Sequence, residues 1–196
     1  MQLVFCTHNA HKLKEAGSIL GQQFEYLTLD DIAYHQDIPE PYETLHENAQ
    51  TKAMTVFMFR GLPCFAEDTG LFVPALNEEP GVKSARYAGE HGDSLANMDK
   101  LLKNLNNLND RKAYFRTVIC YVDIHGIKYF EGRCDGHITE SRSGDSGFGY
   151  DPIFIPNGSD QTFATMTLEQ KNLYSHRRKA FEEFAAFLEK KNSAEQ

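Results

Sequence analysis

Residues 3–20 read LVFCTHNAHKLKEAGSIL. Leu3 to Cys6 form a short apolar run that stops at Thr7, and after a polar turn Leu13, Ala16, Ile19 and Leu20 recur at the spacing of one helix face. The segment therefore reads strand, loop, helix. Backbone N–H groups at such a helix start, with the helix dipole behind them, attract a phosphate, and Lys12 adds a full positive charge. Thr7 and Asn9 bring further hydrogen-bonding groups. A plain helix start, with Asn9 as cap and Lys12 in solvent, fits the same residues. The glycine-rich run of a P-loop is missing, and His8 and His11 lack a second pair at zinc-ligand spacing, so they read as exposed loop residues.

Downstream, a strand is predicted at Phe24–Leu29, then a polar loop containing IPEPYE, then a helix from Leu45 to Arg60 ended by Gly61. Its apolar stripe includes Ala49, Ala53, Val56 and Phe57. Cys64 to Ala66 reads as a buried strand that terminates in a turn, Glu67-Asp68-Thr69-Gly70. Asn77 to Gly92 is predicted irregular, and Leu95, Met98, Leu101, Leu102 and Leu105 mark a helix. Two long strands, Ala113–Ile124 and Ile127–Cys134, are expected to meet in a hairpin at His125-Gly126. A capping box, Thr167-Leu168-Glu169-Gln170, opens a short helical turn. Ser175 is placed to cap a last helix with Phe181, Phe184, Ala185 and Leu188 on its core face.

The chain has 196 residues, enough for one substantial core, so a single domain, 1–196, is expected. Its net charge of −8 opposes binding of polymeric nucleic acid, although a local cluster of lysine and arginine with a divalent cation still suits a small anion. No apolar run has the roughly 18 to 20 residues of a membrane helix, and MQLVFCTHNAHK lacks a signal-peptide pattern, so a cytosolic location away from membranes is expected. Cys6, Cys64, Cys120 and Cys134 form no C-x-x-C pair and read as free buried thiols.

Three further groups carry possible chemistry. Glu40, Glu47, Glu67 and Asp68 are dispersed carboxylates, the set magnesium uses when water and phosphate complete its shell. Glu67 and Asp68 are neighbours, so in a regular strand they face opposite ways. Gly147-Phe148-Gly149-Tyr150-Asp151-Pro152 combines backbone that a ligand can approach with two aromatic rings; stacking of a base and plain core packing both fit. Lys171, His176, Arg177 and Arg178 put cations at the start of the last helix, where the dipole disfavours them; a bound anion or a base edge would compensate. An arginine fork matches the O6 and N7 acceptors of a 6-oxopurine.

In order along the chain, T-x-N-x-x-K at Thr7–Lys12, E-N-A-x-x-K-A at Glu47–Ala53 and E-D-T-G at Glu67–Gly70 resemble the inosine triphosphate pyrophosphatase family. P-G-V-K-S-A-R-Y at Pro80–Tyr87, G-F-G-Y-D-P-I-F at Gly147–Phe154 and S-H-R at Ser175–Arg177 extend the likeness over nearly the whole chain. The resemblance implies an α/β fold with an elongated mixed sheet flanked by helices, two lobes with a central substrate cleft, and a homodimer. It implies hydrolysis of ITP, dITP and XTP to monophosphate and pyrophosphate with Mg2+. Asp68 is then general base or metal ligand, with Glu40 on the metal. The Thr7-His8-Asn9-Ala10-His11-Lys12 loop and Lys52 take the triphosphate, and Thr69 touches substrate. Phe148, Gly149, Tyr150, Asp151, Lys171, His176 and Arg177 surround base and sugar. The family usually reads T-G-N-x-G-K, so His8 and His11 stand at glycine positions, where each adds a side chain and needs φ < 0. The rival readings are a septum-type pyrophosphatase for pyrimidine or modified nucleotides, whose opening motif resembles S-x-S-x-x-R, and a nucleotide-binding sensor without hydrolysis.

Overall fold

In the computed structural model, which describes residues 2–20, 25–89 and 92–194, β1 (Leu3–Phe5) leads through the polar loop into α1 (Ala10–Leu20). β2 (Tyr26–Leu27) lies parallel to β1; the strand predicted from Phe24 begins outside the described residues. α2 (Leu45–Arg60) starts at Thr44, whose side chain accepts the Glu47 N–H, and ends at Gly61, where φ is 68°. Glycine takes that left-handed conformation without a Cβ penalty. Leu45, Ala49, Ala53 and Val56 are buried at helical spacing, and Lys52 is buried among them.

β3 (Cys64–Phe72) corrects the expected turn: it continues through Glu67-Asp68-Thr69-Gly70 without a break. Gly70 serves a close approach and makes no turn. β4 (Pro80–Gly81) runs antiparallel against β3 here, and a Cβ on Gly70 would lie 2.5 Å from the Gly81 carbonyl oxygen. α3 (Ser94–Asn104) is capped by Asp93, which accepts from the Ala96 N–H. β5 (Lys112–Asp123) and β6 (Gly126–Ile138) form the predicted hairpin, with β6 running beyond Cys134 to meet antiparallel β7 (Phe154–Pro156). α4 (Leu168–Asn172) carries the predicted capping box, and α5 (His176–Ala194) closes the described chain.

Among the described residues the strands form one seven-stranded mixed sheet in the order β2-β1-β3-β5-β6-β7, with β4 on β3. The chain divides into two compact units. The first comprises Met1–Asp68, Thr117–Gly132 and Arg177–Gln196; the second, Thr69–Arg116 and Arg133–His176. In the first, Phe181, Phe184 and Leu188 of α5 bury against Phe5, Phe65, Ile119 and Tyr121 of the strands, and the Phe5 and Phe65 rings stack at 4.4 Å. The second has its own core of Leu71, Leu101, Phe115, Ile138, Phe154 and Phe163. All four cysteines are buried, and none is in a disulfide. No described helix is long and apolar enough to cross a membrane.

Candidate active site

The first unit gathers most of the charged candidates. Asn9 caps α1: its Oδ1 accepts the N–H groups of His11 at 3.0 Å and Lys12 at 3.1 Å, while its own N–H donates to Thr7 Oγ1 at 3.1 Å. Two helix-start donors are thus already satisfied, and attraction of an anion here rests on the dipole and the Lys12 ammonium. His8 and His11 are exposed, and neither takes a positive φ, so the loop forms without glycine at those positions. His8 Nε2 lies 3.4 Å from the Gln36 carbonyl oxygen. Thr7 is half-buried and Ala10 exposed.

Lys52 projects from the inner face of α2 and bonds Glu40, donates to the Glu67 carbonyl at 2.8 Å, and lies 3.8 Å from Asp68 Oδ1. Burial works against its charge, yet Asp68 and Glu40 more than offset this and raise its pKa above the usual lysine value. The alternation of β3 sends the Glu67 side chain elsewhere. Arg177 Nε donates to both its oxygens, at 3.1 and 2.9 Å, and Lys12 Nζ is 3.5 Å from Oε1. Burial favours the neutral acid, but Arg177 and Lys12 prevail and hold Glu67 below the ordinary carboxylate range. For Lys12 the balance goes the other way: burial lowers its pKa despite Glu67.

Arg177, expected beside the base, has 1% of its surface exposed and is engaged by two carboxylates, Glu67 and Glu15 of α1. The cations at the start of α5 are therefore compensated from within the protein: Arg177 by Glu15 and Glu67, and Arg178 by Glu182 one turn on. Glu47, counted among the acidic candidates, works locally by accepting the Thr44 hydroxyl at the start of α2. Glu15 was missed in the sequence. Its signal was a carboxylate next to Ala16 on the buried side of α1.

The second unit holds the remaining candidates. Asp151 accepts the Phe148 N–H at 3.0 Å and the Lys171 ammonium at 2.7 Å, with both charged side chains buried. Gly147, at φ 80°, leaves room for this: a Cβ there would sit 2.0 Å from Asp151 Oδ2. Phe148 and Gly149 remain half-buried. The Lys171 ammonium is 5.2 Å from the Phe148 ring centre and 5.4 Å from that of Phe163. Lys171 belongs to α4, not to the last helix. Tyr150 is buried and its hydroxyl donates to the Ser84 carbonyl at 2.9 Å, so of the two aromatics only Phe148 presents a partly open ring. His176 stacks on Phe115 with centres 4.6 Å apart, and Thr69 is half-buried.

The Ham1 family profile matches residues 3–187, across both units. The chain belongs to the Ham1 family. It is 50% identical to a dITP/XTP pyrophosphatase of Porphyromonas gingivalis over 95% of this chain and 97% of that one. A dITP/XTP pyrophosphatase of Christiangramia forsetii is 46% identical over 97% of this chain and 100% of its own. The solved Ham1 protein of Staphylococcus aureus superposes with a TM-score of 0.89 at 36% identity, covering 97% of this chain and 100% of that one. Ham1 membership agrees with the mixed α/β sheet flanked by helices that the resemblance implied.

Proposed function

We propose that this Ham1 protein is a nucleoside triphosphate pyrophosphatase that hydrolyses ITP, dITP and XTP to the monophosphate and pyrophosphate. In this reading residues 1–196 act as one domain in a cytosolic, magnesium-dependent homodimer. The observation that carries it is the meeting of Glu40 and Asp68 on the single ammonium of Lys52, one residue from the carboxylate that holds Lys12.

Burial outweighs the carboxylates near Lys12, Glu67 foremost, and lowers its pKa, and in this reading a polyphosphate supplies a further anion. Lys52 orients Asp68, and Asp68 positions or deprotonates the water that attacks the α-phosphorus. Pyrophosphate leaves as one unit against Lys12 and Lys52. Thr7, His8, Asn9, Ala10 and His11 frame the phosphates, and Thr69 follows Asp68 on β3. Phe148 and Gly149 meet the base, which Lys171 and Asp151 address with a fixed donor and acceptor. Tyr150 holds that turn, His176 lines it, and Arg177 acts through Glu67.

The donor set suits magnesium. Glu40 and Asp68 offer hard carboxylate oxygens, and magnesium takes one or two carboxylates while water and phosphate complete its shell. Bound by these two, magnesium would polarise the phosphoryl oxygens and neutralise developing charge.

Pyrophosphate release with magnesium from ITP, XTP, GTP, ATP and dTTP tests the reading. ITP and XTP are expected to lead by orders of magnitude, and Asp68→Asn to abolish release while ITP still binds. If the wild type binds ITP but releases nothing, the chain is a sensor.

A further inference from the structure

We propose that Glu15 is a positioning residue for Lys12: by neutralising Arg177 it lets the buried Lys12 ammonium keep the proton with which it holds a polyphosphate. The proposal rests on the reading of Lys12 as a phosphate ligand. Lys12 and Glu15 stand three residues apart on α1, at neighbouring positions on the helix surface. Glu15 is buried beside Ala16, where an unpaired carboxylate would be costly, and its Oε2 accepts from Arg177 Nη1.

The charges then alternate. Glu15 faces Arg177, Arg177 faces Glu67, and Glu67 faces Lys12, so two cations and two anions cancel. Without Glu15, this ladder keeps two cations and one carboxylate, Glu67. Arginine does not give up its proton in proteins, so lysine is the member that responds.

Charges of both signs surround Lys12. After burial, Glu67 and Asp68 of β3 favour its charge, while Lys52 of α2 and Arg177 of α5 oppose it. Glu15 blunts the last of these.

The test follows the Lys12 proton directly and through turnover. Lysine Cε chemical shifts, with Lys12 assigned by its loss in Lys12→Arg, are recorded against pH in the wild type, Glu15→Gln and Glu15→Asp. The alkaline limb of kcat/KM for ITP is measured alongside. Glu15→Gln is expected to move both to lower pH, with kcat/KM on the alkaline side falling about tenfold, as loss of one charge-assisted contact would give. Glu15→Asp keeps the charge and should restore most of this. Should Glu15→Gln fail to fold, Glu15→Gln with Arg177→Met removes anion and cation together and should raise the Lys12 titration above wild type. A titration unmoved in Glu15→Gln, or lowered in the double variant, overturns the proposal. If the titration moves and the kinetic limb does not, the coupling stands and Lys12 is removed from phosphate binding.

Discussion

Lys171 and Asp151 form a buried ion pair at 2.7 Å, with the same ammonium lying 5.2 Å from the Phe148 ring centre. One acid thus fixes both the turn, through the Phe148 N–H, and the cation under its aromatic ring. Breaking such a pair from one side costs about 3 to 5 kcal/mol, because the remaining charge stays buried. Asp151→Asn is expected to lower the thermal midpoint, and adding Lys171→Met should recover much of the loss. If the pair also reads the base, the double variant will stay folded yet lose its preference for ITP over ATP in kcat/KM. A stable double variant with intact preference would confine the pair to a structural role.

Gly70 makes a different kind of demand. A methyl group there meets the Gly81 carbonyl oxygen at 2.5 Å, and backbone paired in a sheet does not swing aside. Gly70→Ala should cost about 1 to 3 kcal/mol, as overpacking does, and should depress turnover because Asp68 and Thr69 share its strand. Gly61→Ala is the control. That position has φ 68° but nothing within 4 Å, so only conformational strain is paid and kcat should hold. Urea midpoints and kcat for both variants check the contrast.

These two glycines also show where sequence reading succeeds and where it stops. Gly61 was legible as a helix stop because local conformation alone decides it. Gly70 was misread as a turn because its role depends on β4, which no local pattern announced. The same division runs through the site. Asp151 stood inside a glycine-rich motif, so its importance showed in spacing, whereas Lys52 entered only through the family resemblance and its burial on α2 emerged with the fold. The excess of cations at the start of α5 was also legible, but its compensation was not. Glu15 lies 162 positions from Arg177, and pairing over that separation is a product of the fold. Tyr150 likewise looks like a stacking ring until its hydroxyl is found on Ser84.

Removal of the divalent cation should separate binding from chemistry. Chelation is expected to abolish pyrophosphate release from ITP and magnesium to restore it, since the proposed function has the two carboxylates near Lys52 share a metal shell with phosphate. Glu40→Gln should raise the magnesium concentration needed for half-maximal rate, with smaller effect at saturating metal. Asp68→Asn should not be rescued by more magnesium if the carboxylate also handles the water. Rate against magnesium concentration for the three proteins distinguishes these outcomes.

The acid side of the stability profile reports on Glu67. Its folded pKa is depressed by Arg177 and Lys12 against the effect of burial, whereas an unfolded glutamate titrates near about 4.3. A depressed carboxylate contributes stability that is complete above the unfolded value and is lost as pH falls through the folded value. Glu67→Gln should therefore be much less stable than wild type at neutral pH, and the gap should narrow on acidification as wild type loses the same charge. Lys52 provides the opposite sign. Its folded pKa is raised, so its contribution is complete below the unfolded lysine value and fades only as pH rises through the folded one. The deficit of Lys52→Met should accordingly survive moderate acidification until its partner carboxylates titrate, and narrow on the alkaline side. Urea unfolding of the three proteins across pH tests both signs. A Glu67→Gln deficit that stays constant into acid would mean that Glu67 contributes by shape and hydrogen bonding, and the charge ladder from Glu15 to Lys12 would lose its central member.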